Sequence, residues 1–115
     1  MDSAQITAAA AGTWTLGDLT VNRMGFGAMR LAQTGRALTT DSVPSDRDRA
    51  IAVLAVARAR GATAAQVRLA WTLQRGPHVL AIPGTGDPAH LAENVAAGAL
   101  RLSPDEMARL GALRW

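Results

Sequence analysis

The sequence predicts an α/β fold, and three observations predict it. Trp14, Leu16, Leu19 and Val21 flank Gly17-Asp18, the pattern of a tight hairpin. Two short apolar stretches, "MGFGAM" and "HVLAIP", are suited to strands, and helix start signals recur after each of them. The resulting order is hairpin, strand, helix, helix, strand, helix, helix.

Residues 1–12 read as a mobile tail of small side chains, and residues 13–115 as a single domain. After the hairpin and the first strand, residues 32–45 are polar, contain a proline, and read as a loop. At Ser45 the pattern turns helical. Ser45 is placed to cap the end, Asp46 and Asp48 sit in the first turn, and Ile51, Leu54 and Ala55 fall at helical spacing. Gly61 marks the stop. Thr63 with Gln66 three residues on gives a capping-box pattern, and Val67, Ala70, Trp71 and Leu73 form the buried stripe of a second helix. Gly76-Pro77 closes it, and "HVLAIP" follows as a buried strand. Asp87 with Pro88 at the first helical position, and Ser103 with Pro104, open two further helices.

Composition narrows the classes of function. Hydrophobic residues are 49% and charged residues 18% of the 115, as in globular proteins. The basic residues are all arginine, the net charge is only +3, and the arginines are interspersed with acids, as in "SDRDRA". Aromatic residues are 3%, so the basic stripe with stacking aromatics that nucleic acid requires is missing, and no nucleic-acid partner is expected. No run approaches the ~20 apolar residues of a membrane span, so no membrane partner is expected. With no cysteine, neither disulfides nor thiolate metal sites exist, and a cytoplasmic location is the expectation. His78 and His90 lie too far apart to form a metal motif, and no metal is expected.

Two stretches carry a likeness to a known family. "LTVNRMGFGAMRL" resembles the opening of the aldo-keto reductases, and "GATAAQVRLAWTLQRGPHVLAIPGTGDPAHLAENVAAGALRLSPDEMARL" resembles their closing segment. The resemblance implies a (β/α)₈ barrel that moves hydride between NADPH and a carbonyl. Such a barrel takes about 250 residues. The likeness breaks near residue 40 and resumes close to the family's end, which implies a truncated member: a partial (β/α) barrel fragment with a hairpin, two parallel strands and about four helices. Closing a barrel makes its first and last strands neighbours, so "MGFGAM" and "VLAIP" are expected to pair in parallel. Two strands leave open edges, which leads to the expectation of a homo-oligomer.

The family's tyrosine acid and lysine have no counterpart, since neither residue type occurs. In the family the closing segment holds the adenosine phosphate. On that likeness Gly84 and Thr85 match the turn, and Glu93 and Asn94 match positions beside adenine. Relatives commonly offer hydroxyl or basic groups where Gly86 and Asp87 stand here, and arginine where His90 stands. A helix N-terminus suits an anion, but a carboxylate at the cap competes for the same N–H groups. The same residues also read as a well-capped helix with no ligand, so residual NADP binding and no cofactor both stay open.

Catalytic candidates are Arg30, at the C-terminal end of the first strand where barrels build their sites, and His90, beside the turn. Arg30 is suited to a substrate carboxylate or carbonyl and equally to an ion pair with Asp41. His90 is suited to proton transfer and equally to plain solvent exposure. Met24, Phe26, Met29 and Leu31 are candidates for an apolar pocket or for core. Trp71 is expected in the core, and Trp14 and Trp115 at a subunit interface. The leading functional expectation is a non-redox enzyme, a cyclase or isomerase shaping a small-molecule, secondary-metabolite substrate in an apolar cavity. The alternatives are a non-catalytic binding protein and an NADP-binding oxidoreductase remnant or subunit.

Overall fold

The computed structural model describes residues 6–27 and 47–112. Strand β1 (Thr13–Leu16) pairs antiparallel with β2 (Leu19–Asn22), with Trp14 opposite Val21 and Leu16 opposite Leu19, so the hairpin turns at Gly17-Asp18 as its sequence predicts. Its side chains are almost all exposed. Trp14 meets the His78 ring edge-on with centroids 6.4 Å apart, which ties the hairpin to the loop before residue 79. His78 is itself exposed. Within the segment read as a tail, Ala8–Ala11 form a 3-10 turn that packs on a second such turn, Ala97–Ala99, and Ala11 is buried there.

The expected pair of parallel strands is corrected to two isolated parallel bridges, Met24 with Ala81 and Gly27 with Gly84. The ladder begins well: the Ala81 N–H donates to Arg23 O at 2.8 Å and the Gly25 N–H to Ala81 O at 2.8 Å. The next donor on that side would be residue 83. It is Pro83, which has no N–H, so the ladder skips a rung before the Gly27 N–H reaches Pro83 O at 3.0 Å. Only Ala81 of this stretch is buried, whereas Ile82 is 73% exposed, so "HVLAIP" is not the buried strand its composition predicts.

Helix α1 (Arg47–Arg60) ends before Gly61, whose φ of 62° only glycine adopts without strain. Ser45 and Asp46 lie outside the described residues. Its buried face is Ala52, Val53, Val56 and Ala57, and the expected stripe of Ile51, Leu54 and Ala55 is exposed. The reason is that "AIAVLAVA" is apolar all round. Periodicity cannot choose a face there, and packing against the next helix chooses it.

Helix α2 (Ala64–Leu73) has the capping box its sequence predicts: the Gln66 N–H donates to Thr63 Oγ1 at 3.1 Å and the Thr63 N–H to Gln66 Oε1 at 3.0 Å. Val67, Ala70 and Leu73 are buried as expected, and half-buried Trp71 packs against the core with the Arg75 guanidinium 4.8 Å from its ring centre. Helices α3 (Pro88–Ala96) and α4 (Pro104–Gly111) start at Asp87 and Ser103 with proline in the first turn. The main core joins α1, α2 and α4 through Val53, Val56, Val67, Leu102 and Leu110. A smaller cluster gathers Ala11, Met24, Leu73, Ala81 and Ala97 under the bridged segments.

Arg23 holds this second region together. Its guanidinium donates to the carbonyls of Val79 at 3.1 Å, Ala11 at 3.0 Å and Gly76 at 2.8 Å, and also to that of Leu73. One planar fork thus joins the N-terminal turn, the end of α2 and the loop leading to residue 81.

Glu106 does double work at the start of α4. It closes the Ser103 capping box, accepting from the Ser103 N–H at 2.8 Å, and it accepts two-pronged contacts from Arg60, with Nη2 to Oε2 at 2.6 Å. The Arg60 hydrogen bonds lead the causes that hold the Glu106 carboxyl below the usual glutamate range, while desolvation opposes them. Because the folded value lies below the unfolded one, the stabilisation is present above the ordinary glutamate pKa of about 4.3 and is lost as pH falls through the folded value. Glu106→Gln is therefore expected to flatten the loss of stability on acidification below about pH 4.3. Urea-unfolding midpoints measured across acid pH check this, and parallel curves for the two proteins would refute it.

Among the described residues, no single helix is long and apolar enough to cross a membrane.

Candidate functional site

The turn after residue 83 is placed by close backbone contact. At Gly27 an added Cβ would meet Ile82 O at 2.6 Å and the Gly84 N and Cα at 2.9 Å, so only glycine lets the two segments approach. This contact fixes Gly84 at the mouth of a cleft of about 360 Å³. Gly84, Thr85, Gly86 and Asp87 form one side, His90, Glu93 and Asn94 on α3 the floor, and Thr63 and Ala65 at the start of α2 the other side. The volume is that of a small-ligand pocket.

The two helices are locked together by a side chain outside the cleft lining. The Gln66 side chain, buried, donates from Nε2 to Glu93 O at 3.0 Å while its oxygen caps α2. Thr85 is buried, and its hydroxyl accepts from the Asp87 N–H at 3.1 Å. The Asp87 carboxylate caps α3 by accepting from the Ala89 N–H at 2.8 Å, and the Leu91 N–H donates to Asp87 O at 2.9 Å. His90 Nδ1 lies 3.9 Å from Asp87 Oδ2 with both side chains more than half exposed, a contact worth little.

Gly84, Thr85, Glu93 and Asn94 and the catalytic candidate His90 therefore share one cleft. Arg30, with Met29, Leu31, Asp41 and Trp115, lies outside the described residues. Thr63 and Ala65 escaped the sequence reading as lining groups: the capping box revealed a helix start, and only tertiary packing brings that start to the 84–87 turn. The cleft is polar. Met24 is buried in the core and Phe26 is exposed, so those two form no apolar pocket. A second cleft of about 260 Å³ borders Arg23, Gln74 and Arg101, whose side chains are engaged with backbone groups. Among the described residues no cluster suits a metal ion.

The donor set decides what the first cleft can hold. Among the described residues no arginine lines it, and two acidic residues, Asp87 and Glu93, do. At the start of α3, Pro88 has no backbone donor, the Asp87 and Ala89 N–H groups are engaged by side chains of the turn, and the Leu91 N–H makes the first bond of the helix. Hydroxyls and ring nitrogens of a nucleoside fit such a wall, with carboxylates to accept and the Asn94 amide and Thr63 hydroxyl to donate.

Comparisons with known proteins identify the family. A model of the aldo/keto reductase family matches residues 24–114. Pyridoxine 4-dehydrogenase of Escherichia coli is 54% identical over 55 residues, covering 48% of this chain and 19% of that protein. An uncharacterized oxidoreductase of Schizosaccharomyces pombe is 43% identical over 80 residues, 70% of this chain and 21% of that protein. Aldo-keto reductase str7 of Strobilurus tenacellus is 36% identical over 70 residues, 61% and 21% of the two chains. The chain thus spans about a fifth of the length of these relatives. These names overturn the expectation of a cyclase or isomerase: the relatives are named as dehydrogenase, oxidoreductase and reductase.

Proposed function

Since the chain belongs to the aldo/keto reductase family, we propose that it serves as a dinucleotide-binding oxidoreductase unit, holding the adenosine end of a nicotinamide cofactor in the cleft between α2 and α3. The observation that carries this reading is the convergence of Gly84, Thr85, Glu93 and Asn94 on one cleft of ligand size. The cofactor supplies the hydride when bound. The chain's own residues bind and orient: the Thr85–Asp87 turn shapes one wall, and the Gln66 clamp keeps α2 and α3 at fixed spacing. Neither tyrosine nor lysine occurs in the 115 residues, so they hold no tyrosine or lysine acid for a carbonyl oxygen. Cytoplasmic location and a small-molecule substrate belong to the same proposal.

Assembly with a second copy completes it. Phe26 and Ile82, exposed at 42% and 73%, lie within the bridged segments, and among the described residues no further strand pairs with their outer edges, which suit another chain. Sedimentation velocity followed in the nicotinamide absorption band tests both parts. NADH or NADPH is expected to travel with a particle larger than one chain. A boundary free of nucleotide at millimolar ligand would refute the binding, and a single-chain particle would refute the assembly.

A further inference from the structure

We propose that the apolar face of the β1–β2 hairpin, continued by Leu80 and Ile82, is the surface on which a second copy of this chain docks. The inference rests on the reading of the chain as self-assembling and names the surface that does it. The ladder sets Trp14 opposite Val21 and Leu16 opposite Leu19. Partners across a ladder share a face and neighbours along a strand alternate, so Trp14, Leu16, Leu19 and Val21 lie on one face, with Thr13, Thr15, Thr20 and Asn22 on the other. A lone two-stranded hairpin is marginally stable in water unless such a face packs on something. Here Leu16 and Leu19 are 50% and 64% exposed, Trp14 is exposed as well, and Val21 is half-buried. The surface continues past the hairpin. Trp14 meets the ring of His78, from which the chain runs on to Leu80 and Ile82. Both point away from Ala81, which packs with Met24, Leu73 and Ala97 on the helix side. Gly25 leaves the space beside them open, since a Cβ there would touch Ile82 Cγ2.

Area and charge identify the occupant. Trp14, Leu16, Leu19, Leu80 and Ile82 are each 37% to 73% exposed. Together they present on the order of 450 Å² of apolar surface. A standard interface buries about 800 Å² per partner, somewhat more than half of it apolar, so this patch against its own copy supplies the apolar part of an ordinary twofold contact. The two strands and residues 79–82 hold no charged side chain, and Asp18 in the turn is the hairpin's one charge. Two copies therefore meet without like-charge repulsion, and an acidic or basic partner finds nothing to pair with. Trp14 joins the two halves of the patch, the central position that aromatic anchors favour.

Sedimentation velocity of the full chain across a range of concentrations reads the assembly, and circular dichroism checks that each variant keeps its helices. The parent is expected to sediment as a dimer. Leu19→Glu and Ile82→Glu put a carboxylate at either end of the patch, on side chains exposed enough for the single chain to keep its fold. Each is expected to raise the dissociation constant at least tenfold. Leu54→Glu alters a side chain 59% exposed on α1, whose buried face packs in the other core, and is expected to leave the dimer unchanged. Folded Leu19→Glu and Ile82→Glu dimers as tight as the parent would overturn the surface and leave the assembly standing. Equal weakening by Leu54→Glu would overturn the surface too, because added charge anywhere would then suffice. A parent that stays a single chain would overturn both readings, and its flotation with phosphatidylcholine vesicles would assign the face to lipid instead.

Discussion

Arg23→Ala is expected to destabilise the chain by about 3 kcal/mol or more, a large share of the 5–15 kcal/mol that holds a typical domain folded. The reason is the number of groups that depend on one side chain. The carbonyls of Ala11, Leu73, Gly76 and Val79 all accept from its guanidinium, and they come from separate segments. Removing the donor leaves half-buried carbonyls without partners, and an unpaired buried polar group costs about 1–3 kcal/mol. The neighbouring cluster of Ala11, Met24, Leu73, Ala81 and Ala97 is built mostly of alanines, so little apolar area remains to hold these segments once the fork is gone. Arg23→Lys should recover only part of the loss, because an ammonium reaches fewer of these acceptors than a planar fork. Tryptophan-monitored urea unfolding reads both changes. A variant Arg23→Ala within about 0.5 kcal/mol of the parent, the range of ordinary surface substitutions, would show that the fork is not the joint inferred here.

Local signals were legible in the sequence and long-range ones were not. Thr63 with Gln66, Asp87 with Pro88, and Ser103 with Pro104 each declare a helix start within four residues, and each caps as its pattern implies. The hairpin is equally local, written in Gly17-Asp18 and its flanks. In contrast, the face that α1 buries depends on which helices lie against it, and a segment apolar all round withholds that information. Arg23 lies 50 residues from Leu73 in sequence and gives no sign beforehand that it will meet it. Gly84, Thr85, Glu93 and Asn94, singled out by the resemblance to the family, line one cleft. Its second wall at Thr63 and Ala65 was not legible, because nothing near those residues announces that Gln66 reaches Glu93 O across the gap. The skipped rung of the parallel ladder was written at Pro83, yet the composition of "HVLAIP" outweighed a single missing donor.

Gly27→Ala should damage fold and site together, and a neighbouring glycine supplies the control. The new methyl would sit 2.6 Å from Ile82 O and 2.9 Å from Gly84 N, both backbone atoms that cannot rotate away. The segments must separate, which breaks the bond from the Gly27 N–H to Pro83 O and shifts the Gly84–Asp87 turn that forms one wall of the cleft. Overpacking of this kind costs about 1–3 kcal/mol. At Gly25 the same change would meet chiefly the Ile82 Cγ2 at 3.0 Å, the end of a side chain 73% exposed and free to change rotamer. Gly25→Ala is therefore expected to stay close to the parent in melting temperature and NADH affinity, whereas Gly27→Ala loses several degrees and at least tenfold in affinity. The size of the second loss matters because a displaced turn changes the positions of Thr85 and Asp87 relative to the α2 wall, and a misplacement of about 1 Å is enough to break hydrogen-bond geometry. Equal melting and equal binding for the two variants would mean that the Gly27–Gly84 contact neither closes the seam nor sets the cleft.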